Sequence, residues 1–145
     1  MEIYTIGFTQ KSAAEFFGLL KGAGIQRLMD VRLNNRSQLA GFTKAGDLEF
    51  FLGEICAAEY LHLPELSPTR EILNAYKKKQ MPWEVYEPAF LALLAERKIE
   101  EKLDRRLFEL PCVLLCSEPT AEHCHRRLVA EYLAGKWPDV VIVHL

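Results

Sequence analysis

Pro111-Cys112-Val113-Leu114-Leu115-Cys116 is an apolar run, followed directly by Ser117-Glu118-Pro119-Thr120-Ala121-Glu122-His123-Cys124-His125-Arg126-Arg127. The run reads as a strand. Thr120 stands where it can cap a helix from Ala121 to about Ala134, closed by Gly135. Thiols, imidazoles, carboxylates and guanidiniums therefore gather where a strand meets a helix. In open α/β sheets that junction is where ligands bind.

Working outward, residues 2–6 form a short apolar strand ending at Gly7. Ser12-Ala13-Ala14-Glu15 has capping-box spacing, and Phe16, Leu19, Leu20 and Ala23 recur at helical intervals. Residues 25–31 read as a second strand carrying Asp30-Val31-Arg32, and residues 33–46 as a polar loop. Leu48, Phe51, Leu52 and Ile55 make a helical stripe, and residues 59–63 a third strand stopped by Pro64. Ser67-Pro68 has the form of a helix start, with the helix running to Lys79. Residues 89–107 are helical in pattern, in one or two pieces, and residues 140–144 are a final strand. Strands alternating with helices predict an α/β fold. The expected architecture is one domain over residues 1–145: a mostly parallel, twisted, Rossmann-like sheet of about five strands with helices on both faces.

The bulk composition agrees with a single globular unit. The chain has 145 residues, half of them hydrophobic and 26% charged, with a net charge of −2. That balance gives no global pull toward nucleic acid, so such binding is possible but not favoured. No apolar run approaches the roughly 20 residues needed to span a bilayer. The first residues read as a strand rather than an export signal, so a cytoplasmic location and reduced thiols are expected for the four cysteines.

Thr5-Ile6-Gly7, Asp30-Val31-Arg32, Tyr60-Leu61-His62-Leu63-Pro64-Glu65-Leu66, and Leu114-Leu115-Cys116-Ser117-Glu118 followed by Cys124-His125-Arg126 together resemble the DUF488 family. The resemblance covers nearly the whole chain, with the motifs in the family's order. It implies a small bacterial or archaeal α/β protein and carries over no reaction. One departure is Glu65-Leu66-Ser67-Pro68, where many relatives have a glycine-rich stretch.

Each motif supports a limited chemistry. Residues two apart on a strand share a face, so Asp30 and Arg32 can meet one pocket. Arg32 is suited to a carboxylate or phosphate. Asp30 can orient it, act as a base or bind a metal; the plainer alternative is an Asp–Arg pair that pins the following loop. Cys116, near a helix N-terminus and Arg126 or Arg127, is a nucleophile candidate, with a buried small hydrophobe as the alternative. The Cys-x5-Arg loop of thiol phosphatases is not met, because Glu122 stands where its Arg would be. Cys124 and His125, adjacent on a helix, diverge by about 100° and should not both address one atom. Glu118 joins Asp30 as a proton-handling candidate. Thr9, Arg36, Cys124, His125 and Arg126 complete the expected ligand-binding set. Ser37, Lys44 and Arg70 extend a basic mouth. Lys77-Lys78-Lys79 is expected as a solvated helix end. Trp83, Tyr86 and Phe90 have core spacing, with Trp83 a lid candidate.

The expected function is binding of a small anionic, phosphate- or nucleotide-type ligand at the strand ends, with hydrolysis or group transfer by a reactive Cys116. The competing readings are a non-catalytic ligand- or nucleic-acid-binding module and a zinc or iron enzyme using Cys116, His123, Cys124, His125, Glu118 or Asp30. The primary reading assigns no metal. The sequence names no cofactor, substrate or oligomeric state.

Overall fold

The apolar runs become five strands: β1 (Glu2–Gly7), β2 (Arg27–Asp30), β3 (Glu59–His62), β4 (Cys112–Cys116) and β5 (Val141–His144). The computed structural model describes residues 1–36, 41–118 and 120–145. Every strand pairing is parallel, and the order across the sheet is β3-β2-β4-β1-β5. β4 lies at the centre and is buried at all five positions. That burial on both faces explains an apolar run without polar alternation.

The period-two alternation of the pleat divides the core. Cys112, Leu114 and Cys116 of β4 join Ile3 and Met29 on one face, beneath α4 (Trp83–Arg97) and α6 (His125–Lys136). Val113 and Leu115 join Ile6 and Leu28 on the other face, beneath α1 (Ala13–Gly22) and α2 (Ala45–Phe51). A π-helical segment, Leu52–Cys56, continues α2. Helices on both faces and an all-parallel sheet match the expected architecture. Among the described residues no helix is long and apolar enough to cross a membrane.

Local boundaries follow capping chemistry. The Ser12 capping box forms as expected, with Ser12 Oγ accepting from the Glu15 N–H at 3.1 Å. Three expected helix starts shift. α3 (Arg70–Lys77) begins at the Thr69 cap, because Ser67 Oγ donates instead to the Pro64 carbonyl and closes the 3-10 turn Pro64–Leu66. α4 starts early, at Trp83, and tolerates Pro88 in its second turn. There only the exposed Glu84 carbonyl loses a helical partner, and water can replace it. α6 starts at His125 rather than Ala121, leaving Thr120 outside any helix and Cys124 as the N-cap. The short helix α5 (Ile99–Lys102) follows α4 after Lys98, which adopts the left-handed conformation.

The sheet order sets the position of the site. β1 leads into α1 on one face, whereas β4 leads into α6 on the other. Adjacent strands whose connections leave in opposite directions open a crevice beyond their carboxyl ends. Gly7 and Cys116 stand side by side there. At Gly7 a Cβ would lie 1.5 Å from the Glu118 carbonyl oxygen and 2.8 Å from Arg126 Nη1. Only a residue without a side chain permits this approach of the loop after β4.

Gly7→Ala is therefore expected to lose about 3 kcal/mol or more, read by urea unfolding. Gly18→Ala, inside α1 with nothing within 4 Å of the added Cβ, should instead gain about 0.5 to 1 kcal/mol.

Candidate functional site

A cavity of about 390 Å³ opens at the carboxyl ends of β1, β2 and β4. That volume suits a small ligand. Its walls differ in character. Arg32, Thr9, Ser117, Cys116, Cys124 and His125 form a polar side, while Tyr76, Trp83, Tyr86 and Phe8 supply aromatic surface.

Asp30 ends β2, and Arg32 lies two residues on, so both reach the same side. Arg32 Nε donates to Asp30 Oδ1 and Nη2 to Oδ2, each at 2.8 Å, and the Arg32 backbone N–H donates to Oδ1 at 3.1 Å. Tyr60, on neighbouring β3, donates its hydroxyl to Asp30 Oδ2 at 2.6 Å. Burial, then the Asp30 carboxylate, push the Tyr60 phenol far above its ordinary range, so it remains a donor. Arg32 Nη2 also donates to the Thr43 carbonyl, and His62 Nε2 donates to the Arg32 carbonyl. The pair is fully enclosed, with Arg32 only 3% exposed. Asp30, expected among the proton-handling groups, thus has both oxygens committed to holding Arg32 and Tyr60. The remaining guanidinium nitrogen, Arg32 Nη1, is buried and has no partner among the described residues. A buried donor of this kind has capacity for an acceptor from outside the chain, a water or an ion.

The second cluster forms where β4 meets α6. Cys124 is the helix N-cap, with φ −139° and ψ 138°, so its side chain escapes the 100° divergence that helical neighbours obey. The expectation that Cys124 and His125 address different directions fails for that reason. The ligand atoms of Cys116, Cys124 and His125 all lie within 4.8 Å of one another. Cys116 Sγ is 3.3 Å from His125 Nδ1, and His125 Nε2 is 2.7 Å from the Val31 carbonyl oxygen. A carbonyl only accepts, so Nε2 carries a hydrogen, and Nδ1 faces the sulfur.

Arg126 packs behind these groups and is fully buried. Its Nη1 donates to the Glu118 carbonyl at 2.7 Å and to Cys124 Sγ at 3.4 Å, while Nε and Nη2 have no partner among the described residues. Burial pushes the Cys116 thiol up, but the Cys124 side chain, the Ser117 and Glu118 backbone N–H groups and the Arg126 charge outweigh it. The net shift is downward. Burial, and then the Cys116 sulfur, push Cys124 well above the ordinary thiol range. The two thiols titrate as a pair in which Cys116 ionises first. Burial drives Cys112 up to about 12 and also raises Cys56, which leaves both as structural thiols.

The cavity brings together Cys116, Cys124, His125, Arg32, Thr9 and Glu118. Arg126, expected to bind ligand across from Arg32, is not among the described lining residues and instead props the loop from behind. Arg36 and Arg70 are exposed and absent from the described lining, and Ser37 lies outside the described residues. Arg127 pairs with Glu87 and lies over the Trp83 ring at 5.7 Å. Sequence reasoning missed Tyr76 and Lys77 in the walls and Tyr60 behind Asp30, whereas His123, named as a candidate metal ligand, does line the cavity. Lys77, read as a solvated helix end, lines the cavity. Trp83 stacks on His123 at 4.9 Å and on Tyr86 at 5.2 Å, so it belongs to a wall whose inner end, Tyr86 and Phe90, is core.

The enclosed Asp30–Arg32 pair makes stability sensitive to either partner. Asp30→Ala strands a buried guanidinium and should cost about 3 to 5 kcal/mol in urea unfolding. Tyr60→Phe removes one bond to a charged acceptor and should cost about 1.5 to 3 kcal/mol.

No curated protein and no solved structure matches this chain. A protein family described as "Domain of unknown function DUF488" matches residues 12–133. The matched span contains the Asp30–Arg32 unit and the Cys116, Cys124, His125 and Arg126 cluster, and the chain belongs to the DUF488 family.

Proposed function

We propose that this protein is a thiol-dependent enzyme that performs hydrolysis or group transfer on a small anionic substrate. The observation that carries the reading is the Cys116–His125 pair, with Sγ 3.3 Å from Nδ1 and the imidazole oriented through Nε2 to the Val31 carbonyl. A nucleophile, a base and a group that orients the base form the pattern of an activated thiol. His125 Nδ1 takes the Cys116 proton, and the thiolate attacks an electrophilic centre of the substrate. The Ser117 and Glu118 amides, the Cys124 side chain and the Arg126 charge hold the thiolate form. Arg32 Nη1 grips the substrate's anionic group, and Asp30 and Tyr60 position Arg32. The aromatic wall takes the apolar remainder of the substrate and limits water near the sulfur.

A second reading has its own support. Cys116, Cys124 and His125 supply three soft ligand atoms within 4.8 Å, and the Val31 carbonyl orients the imidazole as a carbonyl does in metal sites. A zinc or iron ion held there would keep a coordination position toward the cavity. Elemental analysis of untagged protein separates the two readings: stoichiometric zinc or iron lost in Cys116→Ser favours the metal, and its absence with a freely alkylated Cys116 favours the thiol.

Iodoacetamide should label Cys116 ahead of Cys56 and Cys112 at neutral pH. The folded-state shift of Cys116 is downward, so its thiolate, and its alkylation rate, should persist below the pH range of an ordinary thiol. Arg126→Gln should displace that profile toward higher pH and slow labelling on its acidic limb, because the Arg126 charge is one of the groups that favour the thiolate. Labelling of Cys116 no faster than that of Cys56 would remove the basis of the thiol reading.

A further inference from the structure

We propose that Cys116 and Cys124 form a dithiol–disulfide couple through which this protein reduces a hydroperoxide. The inference rests on Cys116 as the reactive thiol and adds a second activity with its own thiol partner. Among the described lining residues, the cavity contains two thiols, and they are these two. Cys112 sits at the opposite end of β4, and Cys56 packs with the cluster on the other face of the sheet. The reactive sulfur therefore has one thiol within reach, and both open onto the same cavity.

The backbone favours their joining. A disulfide needs the sulfurs at about 2.05 Å, so the present separation must close. Cys116 is fixed by the sheet. Cys124 is not, because its backbone is extended and its side chain makes no capping bond to α6. The described residues before it, 117, 118 and 120–123, lie outside any helix or strand. Its side chain can turn toward Cys116 without breaking a helical hydrogen bond. Arg126 Nη1, 3.4 Å from Cys124 Sγ, is placed to stabilise the thiolate that leaves when the disulfide is reduced again.

The chemistry balances with a hydroperoxide as oxidant. The Cys116 thiolate attacks the outer peroxide oxygen, and an S–O bond forms as the O–O bond breaks. The departing alkoxide takes the proton that His125 accepted from Cys116, which leaves an alcohol and a sulfenic acid. Cys124 sulfur then attacks the Cys116 sulfur, and its proton leaves with the hydroxyl as water. Dithiol and hydroperoxide become disulfide, alcohol and water, and an added dithiol restores the thiols. The aromatic wall of Tyr76, Trp83 and Tyr86 suits an organic hydroperoxide. Without a resolving thiol, the sulfenic acid would advance under excess peroxide to sulfinic acid.

The test treats reduced, full-length protein with stoichiometric cumene hydroperoxide and follows it by intact mass and peptide mapping. The expected result is loss of two hydrogens, a peptide joining Cys116 to Cys124, and reversal by dithiothreitol. With Cys124→Ser, checked for fold by circular dichroism, dimedone should trap sulfenic acid on Cys116 and excess peroxide should carry it to sulfinic acid. Oxidation of the parent protein at Cys116 with Cys124 left as a free thiol would overturn the couple while leaving the nucleophile standing. A Cys116 that resists both cumene hydroperoxide and iodoacetamide would overturn both.

Discussion

The architecture of the site depends on a carbonyl oxygen lying where a side chain would normally be. The Glu118 carbonyl sits over Gly7, and the buried Arg126 guanidinium holds it there through a 2.7 Å hydrogen bond. This contact draws the loop after β4 down onto the end of β1. Beside it, the Ser117 and Glu118 amides face the Cys116 sulfur, and α6 starts only at His125. Cys124 becomes a cap rather than a helical residue, which lets two thiols and an imidazole converge.

The two buried arginines are arranged differently, and the difference separates their roles. Arg32 has a carboxylate partner and a phenol that supports that partner, so most of its charge is met inside the protein. One nitrogen, Nη1, is buried without a partner among the described residues. Arg126 is fully buried and bonds a carbonyl and a sulfur through one nitrogen, with its other two nitrogens unpartnered among the described residues. A buried cation is costly unless a negative charge stands nearby. The Cys116 thiolate is the anion that its field favours. One arginine is thus paired with a carboxylate, and the other lies beside the two sulfurs; the proposed function assigns the first to a substrate's charge and the second to the Cys116 thiolate.

Much of the fold was legible because local signals were strong. The capping box at Ser12, the apolar run of β4 and the strand–helix alternation each express short-range physics, and the parallel sheet follows from them. Asp30 and Arg32 were legible as a same-side pair by the period of a strand. Cys116, Thr9 and Glu118 followed from the rule that ligands meet strand ends. The failures also have physical causes. Ser67-Pro68 looked like a helix start, but the Ser67 hydroxyl was already committed to the Pro64 carbonyl. Lys77 is the exposed helix end that its position implied, but nothing local shows that α3 also borders the cavity. Tyr60 carried no signal of its own; its hydroxyl finds Asp30 only because β3 pairs with β2 in register.

The sequence by itself determined the α/β class, the family and the set of reactive groups, because these depend on residue identity, periodicity and order along the chain. The tertiary structure decided which of those groups address the cavity. It set Arg126 behind Cys116 rather than across from Arg32, and it brought Cys124 and His125 to the same sulfur. Those outcomes depend on where α6 begins. The long-range contact between Gly7, Glu118 and Arg126 lies at that point, and no local stretch of residues contains its energetics.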